Sequence, residues 1–245
     1  MINRPHGRAS LPQELSAIGH HLVFAEGTKT ELNYAKSIEK GIVEKYFANP
    51  SVNRLEIIEV DQKKNGLDTI RLVDYAEAEV KRRVASGEKI DYVWIFFDKD
   101  DFPLADFETA IKETDQRNEK DFSERNLNED PCDSNGTHWT ACYSNRCFEL
   151  WVCLYFGLYQ ATVSKGADYI DRINRYLKQN GAKFLYEKNI EDLHQKLVSA
   201  KGSLKNAICF GKKLNQKNGN KEPSTDVVSF AFYFQNYLKE EKKGE

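Results

Sequence analysis

A continuous run of apolar and aromatic residues, YVWIFF at Tyr92–Phe97, is the strongest strand signal in the chain. A strand without polar alternation is typical of the centre of a parallel sheet, where helices cover both faces. The run ends abruptly at the charged sequence DKDD, which occupies positions 98 to 101. The pattern therefore predicts a buried central strand that carries carboxylates at its carboxyl end.

Strand and helix signals alternate through the first half of the chain. Short apolar runs predict strands at His21–Ala25 and Leu55–Val60, and Trp139–Tyr143 is a further predicted strand. Apolar residues at helical spacing predict a helix in the segments between these strands, one of them at Asp68–Val84. This order predicts an α/β fold, with a mostly parallel sheet and helices on both faces.

The final third of the chain has mainly helical patterns. They predict helices near 166–179, 190–214 and 226–240. The basic segment 211–225 contains Gly and Asn, and is predicted to form a loop between the last two helices. The polar segment 117–137 is predicted to be a long loop or mobile insertion. We expect three regions: a leader at 1–20, an α/β domain at 21–160, and a helical C-terminal part at 161–245 packed on it.

Charge and hydropathy limit the partners and the location that can be inferred. The chain has 36 basic and 38 acidic residues and a formal net charge of −2. Bulk charge therefore does not predict a nucleic-acid partner, which would have to bind a local basic face such as Lys201–Lys205 or Lys212–Lys221. There is no apolar run of about 18 residues and no signal-peptide pattern, so we expect no membrane span and no export.

The five cysteines are few and irregularly spaced. Their odd number, without a secretion signal, favours reduced thiols in a cytoplasmic protein. A zinc site at Cys132, Cys142 and Cys147 would need His138 as its fourth ligand, and the chain has no C-x-x-C pair. The favoured interpretation of Cys147 is a small apolar residue on a helix.

Carboxylates follow two of the predicted strands. Glu26 comes directly after His21–Ala25, and Asp98 and Asp100 come directly after Tyr92–Phe97. The carboxyl ends of parallel strands meet at one edge of a sheet, and neighbouring strands lie about 4.8 Å apart. Oxygen ligands at two such ends suit Mg²⁺ or Mn²⁺. The alternative, an acidic cluster that only caps helices or forms a solvated turn, is left open by the pattern.

Several segments resemble known signature sequences. LVFAEGTKTELNY, which begins at Leu22, and VWIFFDKDDF, which begins at Val93, resemble the two acidic blocks of the TOPRIM domain. More narrowly, the chain resembles the RloB-like family of bacterial defence-associated proteins. SNRCFELW at Ser144–Trp151, YEKN at Tyr186–Asn189 and PST at positions 223 to 225 are similar to later segments of that family. The resemblance extends from about 22 to 230 and implies a TOPRIM-like fold.

The resemblance also implies roles for individual residues. Glu26, Asp98 and Asp100 match the TOPRIM acidic positions, which bind metal and take part in catalysis, and Lys188 is a candidate to neutralise charge on phosphate. Glu31 and Asp101 are candidates for holding a second ion, although Glu31 could instead interact with a helix dipole. Substrate-binding candidates are Lys29, Asn145, Arg146 and Glu149, to which the charge of the basic segments, and not the resemblance, adds Lys201 and Lys205. Asn145 and Glu149 could instead form a helix cap and a buried ion pair. Arg146 stands where the family pattern has Pro.

The resemblance implies a Mg²⁺- or Mn²⁺-dependent nuclease that acts in anti-phage defence by abortive infection. RNA, such as tRNA, is the preferred substrate, with DNA as the other candidate. A partner ATPase and a homo-oligomer are further expectations, and no membrane is expected. The alternative function is a catalytically silent TOPRIM-like scaffold that binds a partner ATPase or a nucleotide signal. Retention of Glu26, Asp98 and Asp100 argues against this alternative.

Overall fold

The computed structural model describes residues 18–27, 29–46, 54–60, 69–100, 102–118, 132–157 and 166–235. Five strands and eight helices lie within these ranges. The strands are β1 (His20–Ala25), β2 (Arg54–Ile58), β3 (Tyr92–Asp98), β4 (His138–Asn145) and β5 (Ser224–Thr225). The helices are α1 (Thr30–Tyr46), α2 (Thr69–Ala85), α3 (Leu104–Asn118), α4 (Glu149–Tyr155), α5 (Gly166–Gln179), α6 (Leu193–Ser199), α7 (Leu204–Asn218) and α8 (Val227–Phe234).

The sheet has the strand order β2-β1-β3-β4-β5. β1 pairs in parallel with β2 and β3, and β3 pairs in parallel with β4. The two-residue strand β5 pairs antiparallel with β4. The expected mostly parallel α/β sheet is therefore confirmed. Because the first four strands run in one direction, their carboxyl ends meet at a single edge.

Helices cover both faces of this sheet, as the unbroken apolar character of β3 predicts. Trp94 and Phe96 face α1 and the helices of the C-terminal part, in one continuous core. Val93, Ile95 and Phe97 face α2 and α3 in a second core. The C-terminal helices thus share their core with the sheet. The boundary between 160 and 161 stays a prediction.

The C-terminal helices differ from the expected ones. The single helix expected near 190–214 is two helices, α6 and α7. The loop expected at 211–225 is shorter and covers only 219–223, because α7 continues to Asn218 and β5 begins at Ser224. Gly211 lies inside α7, where a Cβ atom would overlap the side chain of Val228. This glycine therefore permits close packing of α7 on α8 and does not end the helix.

Other expectations have mixed outcomes. Cys142, Cys147 and Cys153 are buried free thiols that pack with apolar residues. The leader up to residue 17, the central part of the 117–137 segment and the end of the expected 226–240 helix lie outside the described residues. None of the described helices combines the length and apolar character needed to cross a membrane.

Candidate active site

A cavity of about 270 Å³ opens at the carboxyl edge of the sheet. Four carboxylates and two lysines line it: Glu26, Glu31, Asp98, Asp100, Lys29 and Lys188. The carboxylates come from the ends of two neighbouring strands and from the first turn of α1. The predicted position is therefore confirmed: the ends of β1 and β3 bring acidic residues to one place.

Hydrogen bonds from neighbouring elements fix the acidic residue after β1. The backbone N–H of Glu26 donates to Phe96 O at 2.9 Å, which continues the β1–β3 ladder by one residue. Thr69 at the start of α2 donates from Oγ1 to Glu26 Oε2 at 3.4 Å. The side chain of Glu26 is thus held between the sheet and α2.

The turn after β3 is fixed by the end of β4. Asp98 Oδ2 accepts a hydrogen bond of 3.1 Å from the backbone N–H of Phe148. The N–H of Asp100 donates to Arg146 O at 2.9 Å, and Asp100 has a positive φ of 36°. This left-handed conformation turns the chain sharply, so that Asp98 and Asp100 both line the cavity.

Gly27 has a steric role in the E-G pair. A Cβ atom at this position would overlap the carboxylate of Glu31, which is only 8% exposed. Glycine therefore leaves the space that the Glu31 side chain occupies above the end of β1. The backbone conformation of Gly27 needs no glycine, because its φ is not positive.

Glu149 lies behind the cavity, at the start of α4, and is 1% exposed. Its Oε1 accepts a hydrogen bond of 3.1 Å from the Tyr186 hydroxyl and lies 3.7 Å from Lys188 Nζ. Its Oε2 is buried and has no hydrogen-bond partner among the described residues. A buried carboxylate oxygen without a donor is costly, and a cation is one species that would satisfy it.

The segment 186–195 positions Lys188 along α1. Thr30 Oγ1 donates to Lys188 O at 2.8 Å, and Asn33 Nδ2 donates to Ile190 O at 3.2 Å. Further along α1, Ser37 Oγ accepts from the N–H of His194 at 3.0 Å. These bonds hold the backbone of the segment, so the lysine ammonium reaches the carboxylates from the α1 side.

When all of them are ionised, the carboxylates of the cavity carry more negative charge than the nearby lysines balance, and this disfavours their ionised forms. Burial, together with repulsion from Glu31 and Asp100, raises the pKa of Glu26 to about 7. Burial and the charge of Glu149 raise the pKa of Glu31 to about 7 as well. Burial, followed by repulsion from Glu31, Glu149 and Asp100, raises the pKa of Asp98 well above its ordinary value.

Lys188 responds to the same charges in the opposite sense. Partial burial alone would lower the pKa of its ammonium group, but the carboxylates of Glu149, Asp100 and Asp98 raise it above the ordinary value. The lysine is therefore charged and supplies one of the positive charges at this cluster. A divalent cation would supply the larger positive charge that the buried carboxylates lack.

The donor set fits Mg²⁺ or Mn²⁺ in its chemistry, because every ligand offered is a carboxylate oxygen. The orphaned Oε2 of Glu149 supports the same conclusion. Among the described residues, no group of three or more His, Cys, Asp and Glu side chains is arranged to hold an ion as it stands. Like charges repel, so these carboxylates have to come together around the cation that neutralises them.

The structure places the other candidate residues at varying distances from the cavity. Lys29 is exposed and lines the cavity. Lys201, just before α7, and Lys205, in the first turn of α7, are also exposed. Asn145 is buried and does not cap α4, because its Nδ2 donates to Asn220 O at 2.9 Å and α4 has no side-chain cap. Arg146 Nε lies 3.9 Å from a carboxylate oxygen of Glu222. Asp101 lies outside the described residues.

Three residues of this site were not singled out from the sequence. Tyr186 binds Glu149, Thr69 binds Glu26, and Phe102 lines the cavity. Tyr186 belongs to the YEKN segment, whose similarity to the RloB-like family is the sequence signal that could have identified it. Phe102 directly follows DKDD, and its partly exposed ring belongs to neither core of the described residues.

The fold and the cavity together define the class as a mostly parallel α/β protein of TOPRIM-like fold, with acidic residues at the ends of β1 and β3. A sequence model described as RloB-like protein matches residues 21–230. The match covers most of the 245 residues, and the chain belongs to the RloB-like family. No curated protein and no solved structure matches the chain.

Proposed function

We propose that this protein is a metal-dependent nuclease that hydrolyses phosphodiesters with Mg²⁺ or Mn²⁺. RNA such as tRNA is the preferred substrate, and DNA is the alternative. In the cell it would act as an anti-phage effector in abortive infection, with a partner ATPase as a candidate regulator. The single observation that carries the proposal is the cavity in which Glu26, Glu31, Asp98 and Asp100 meet Lys188.

Glu26, Asp98 and Asp100 are the residues that would hold a divalent cation. Glu31 and Asp101 are the candidates for a second ion, to which the buried Glu149 would add a ligand. When bound, such a cation polarises a phosphoryl oxygen and lowers the pKa of a water molecule. Asp98 and Asp100 come from one turn, whose geometry is set by the segment that follows β4. The chain therefore supplies neighbouring oxygen donors at the edge of the sheet, which would close around the cation when it binds.

The lysines supply the positive charge that a phosphodiester needs. Lys188 lines the cavity, and the hydrogen bond from Thr30 on α1 holds its backbone. In the proposed reaction it attracts a non-bridging oxygen of the scissile phosphate and stabilises the charge that develops on it. Lys29 is exposed at the same cavity and orients the neighbouring phosphate.

A second candidate function is a silent TOPRIM-like scaffold that binds an ATPase or a nucleotide signal. The observation that favours it is that the described side chains, as they stand, do not enclose an ion. Against it, the charge imbalance of the cavity has no structural benefit in a scaffold that binds no cation, since buried like charges destabilise a fold.

The experiment compares the wild type with Glu26→Gln and Asp100→Asn on tRNA, single-stranded RNA and plasmid DNA. Reactions contain Mg²⁺ or Mn²⁺, and EDTA is then added. We expect metal-dependent cleavage that falls by about 100-fold or more in both variants, the loss typical of removing a catalytic group. Glu108→Gln, which alters an exposed carboxylate on α3, is the matched control and should cleave like the wild type.

Equal cleavage by the wild type and the two site variants would sink the nuclease assignment at this cavity. If the purified wild type is silent because a partner holds it inactive, toxicity on overexpression provides the readout. Toxicity that Glu26→Gln and Asp100→Asn abolish supports the proposal, and toxicity that all variants retain contradicts it.

A further inference from the structure

The helix α7 and its flanks carry an unusual excess of positive charge. Between residues 201 and 221 there is no Asp or Glu, although the chain as a whole has a net charge of −2. All of the lysines in this interval are exposed. They are Lys201, Lys205, Lys212, Lys213, Lys217 and Lys221, and we call them the lysine track.

Helical geometry puts the track on one side of α7. The opposite side, which includes Ala207, Gly211 and Leu214, is buried against the core. Lys213 and Lys217 are four residues apart within α7, and Lys205 precedes Lys213 by eight, so these three lysines follow one row with a rise of about 6 Å per four residues. The helix is roughly 22 Å long, and Lys201 and Lys221 lie just beyond its two ends.

The track lysines lack the partners that other lysines have. Lys36, Lys40 and Lys81 form ion pairs of 2.6 to 2.9 Å with carboxylates. None of the track lysines forms an ion pair with a residue in the described part of the chain. A row of unneutralised charges repels itself, and an extended polyanion is the kind of partner that removes this repulsion.

An exposed aromatic ring lies beside the track. Phe232 on α8 is 48% exposed, and Lys212 Nζ lies 3.5 Å from the centre of its ring. Single-stranded nucleic acids bind to surfaces that combine cations for the backbone with aromatic faces on which unpaired bases stack. Lys212 and Phe232, which are in contact, provide a cation and an aromatic ring at the same place.

The C-terminal end of the track reaches the catalytic edge of the sheet. Lys221 directly precedes Glu222, whose carboxylate lies 3.9 Å from Arg146 Nε, and Asn220 O accepts a bond from Asn145. Arg146 O in turn accepts the N–H of Asp100. The row of charges therefore ends next to the turn that carries the carboxylates.

We infer that the lysine track binds the backbone of a single-stranded nucleic acid and guides it along α7 to the carboxylate cavity. The inference deepens the proposed function, because it rests on a nucleic acid as the substrate. It adds a binding surface outside the cavity and a preference for unpaired strands, whose bases leave a face free for Phe232.

Binding is measured apart from cleavage. The background is Asp100→Asn without divalent metal, and the probe is a fluorescent single-stranded RNA of about 16 nucleotides. Fluorescence anisotropy is followed from about 50 to 200 mM salt. The track variant is Lys205→Gln/Lys213→Gln/Lys217→Gln. The matched control, Lys81→Gln/Lys89→Gln/Lys112→Gln, removes the same charge from α2, α3 and the segment before β3.

We expect the track variant to bind about ten- to 100-fold more weakly than its background at about 0.1 M salt, and the control to bind like the background. Each phosphate contact contributes about −0.7 to the slope of log K against log salt for single strands. Loss of three contacts should therefore make the slope less negative by about two. A track variant with the Kd and the slope of the control overturns the inference.

Cys209 reports directly on where the strand lies. It is exposed and stands four residues from both Lys205 and Lys213, whereas Cys142, Cys147 and Cys153 are buried. In a Cys132→Ser variant of the Asp100→Asn background, alkylation therefore monitors the track alone. We expect saturating RNA to slow alkylation of Cys209 at least several-fold.

Two results of the alkylation experiment contradict the inference. One is a rate for Cys209 that RNA leaves unchanged. The other is protection of Cys209 by vesicles that contain phosphatidylserine but not by RNA, which would make the track a membrane-binding surface. The proposed function fails separately, when Asp100→Asn leaves cleavage intact, because binding to the track is read without cleavage.

Discussion

At the scale of single residues, Glu149 combines a buried position with incomplete hydrogen bonding. Its Oε1 binds Tyr186, while its Oε2 has no hydrogen-bond partner among the described residues. We predict that Glu149→Gln weakens Mn²⁺ binding about 10- to 100-fold, the range found when groups that support a metal site are removed. Isothermal titration calorimetry measures this change, and the amide retains an acceptor for the Tyr186 hydroxyl.

Tyr186→Phe serves as the comparison for Glu149→Gln, because it disturbs the same contact without removing the carboxylate charge. A merely structural role for Glu149 predicts that both variants lose stability and keep the Mn²⁺ affinity of the wild type. Unchanged affinity in Glu149→Gln would therefore exclude Glu149 from the proposed cation site.

Phe102 is the other residue whose position calls for a functional explanation. Its partly exposed ring lines the cavity and packs into neither core of the described residues, and its N–H donates to Lys99 O at 3.0 Å. If the cavity cleaves nucleic acid, this ring can stack on a base next to the scissile phosphate. We predict that Phe102→Ala raises KM about 5- to 150-fold, as loss of one base stack does.

The split between kinetic constants tests the role of Phe102. Steady-state kinetics on single-stranded RNA should show a small change of kcat, because the ring binds substrate without touching the reacting atoms. Phe102→Trp should restore KM, since it retains an aromatic face. An equal fall of kcat in both variants would instead indicate a disturbed turn around Asp100.

At the scale of elements, the close approach of α7 and α8 depends on one missing Cβ atom. A methyl group at Gly211 would overlap Val228 Cγ2 and would lie 3.5 Å from Leu154 Cδ1. We predict that Gly211→Ala lowers the free energy of unfolding by about 1–3 kcal/mol through overpacking, despite the better helix propensity of alanine. Urea denaturation measures the change.

The double variant Gly211→Ala/Val228→Ala separates packing from propensity. Removing the Val228 methyl groups makes room for the new Cβ atom. The double variant should therefore lose clearly less stability than the sum of the losses in the two single variants. Strictly additive losses would show that Gly211→Ala destabilises the protein for a reason other than overlap with Val228.

Gly211 also shows where sequence patterns stop being informative about elements. Local periodicity predicted β1 to β4 and the α/β class, because the buried faces of strands and helices repeat at fixed spacing. It placed a loop at 211–225, where α7 continues, because a glycine that serves packing and a glycine that ends a helix look alike in sequence. The deciding contact comes from Val228, which is distant along the chain.

The residues of the candidate site also fall into two groups, those that the sequence could predict and those that it could not. Glu26, Asp98 and Asp100 could be predicted, since each directly follows a strand whose direction the pattern fixed. The bond between Tyr186 and Glu149 could not, because it joins residues 37 positions apart. Asn145 was expected as a helix cap, but its amide binds the backbone of the turn before β5. Long-range pairing of polar groups leaves no periodic trace in a sequence.

At the scale of the whole molecule, global stability depends on a histidine at the opposite edge of the sheet from the cavity. His21 Nδ1 accepts from Trp94 Nε1 at 3.0 Å, and because an indole N–H only donates, the His21 proton lies on Nε2 and faces Ile18 O. The ring stacks on Tyr92 with a centroid distance of 4.7 Å. Burial lowers the pKa of His21 to about 4.

The lowered pKa gives a signed prediction for acid stability. Between the ordinary pKa of 6.5 and the folded value of about 4, the unfolded chain binds more protons at this position than the folded chain. Stability should therefore fall as the pH drops through this window, by about 3 kcal/mol in total, and level off below it. Urea denaturation of the wild type and of His21→Gln over this pH range measures the contribution.

In His21→Gln the glutamine keeps an acceptor and a donor but does not titrate, so its stability should decrease less on acidification. Other groups that titrate in this window, among them Glu39, whose pKa is raised by burial, are common to both proteins and cancel in the difference. Parallel stability curves for the two proteins would contradict the assignment of this acid sensitivity to His21.

The bonds from α1 to the segment 186–195 have a consequence for biosynthesis. The carboxylates of β1 and β3 leave the ribosome early, but Lys188 and the Tyr186 hydroxyl follow only after all four parallel strands have been made. A nascent chain that has built the four parallel strands β1 to β4 still lacks the lysine and the partner of Glu149. If the proposed toxic nuclease activity is correct, the nascent chain would be inactive until these two residues have been made.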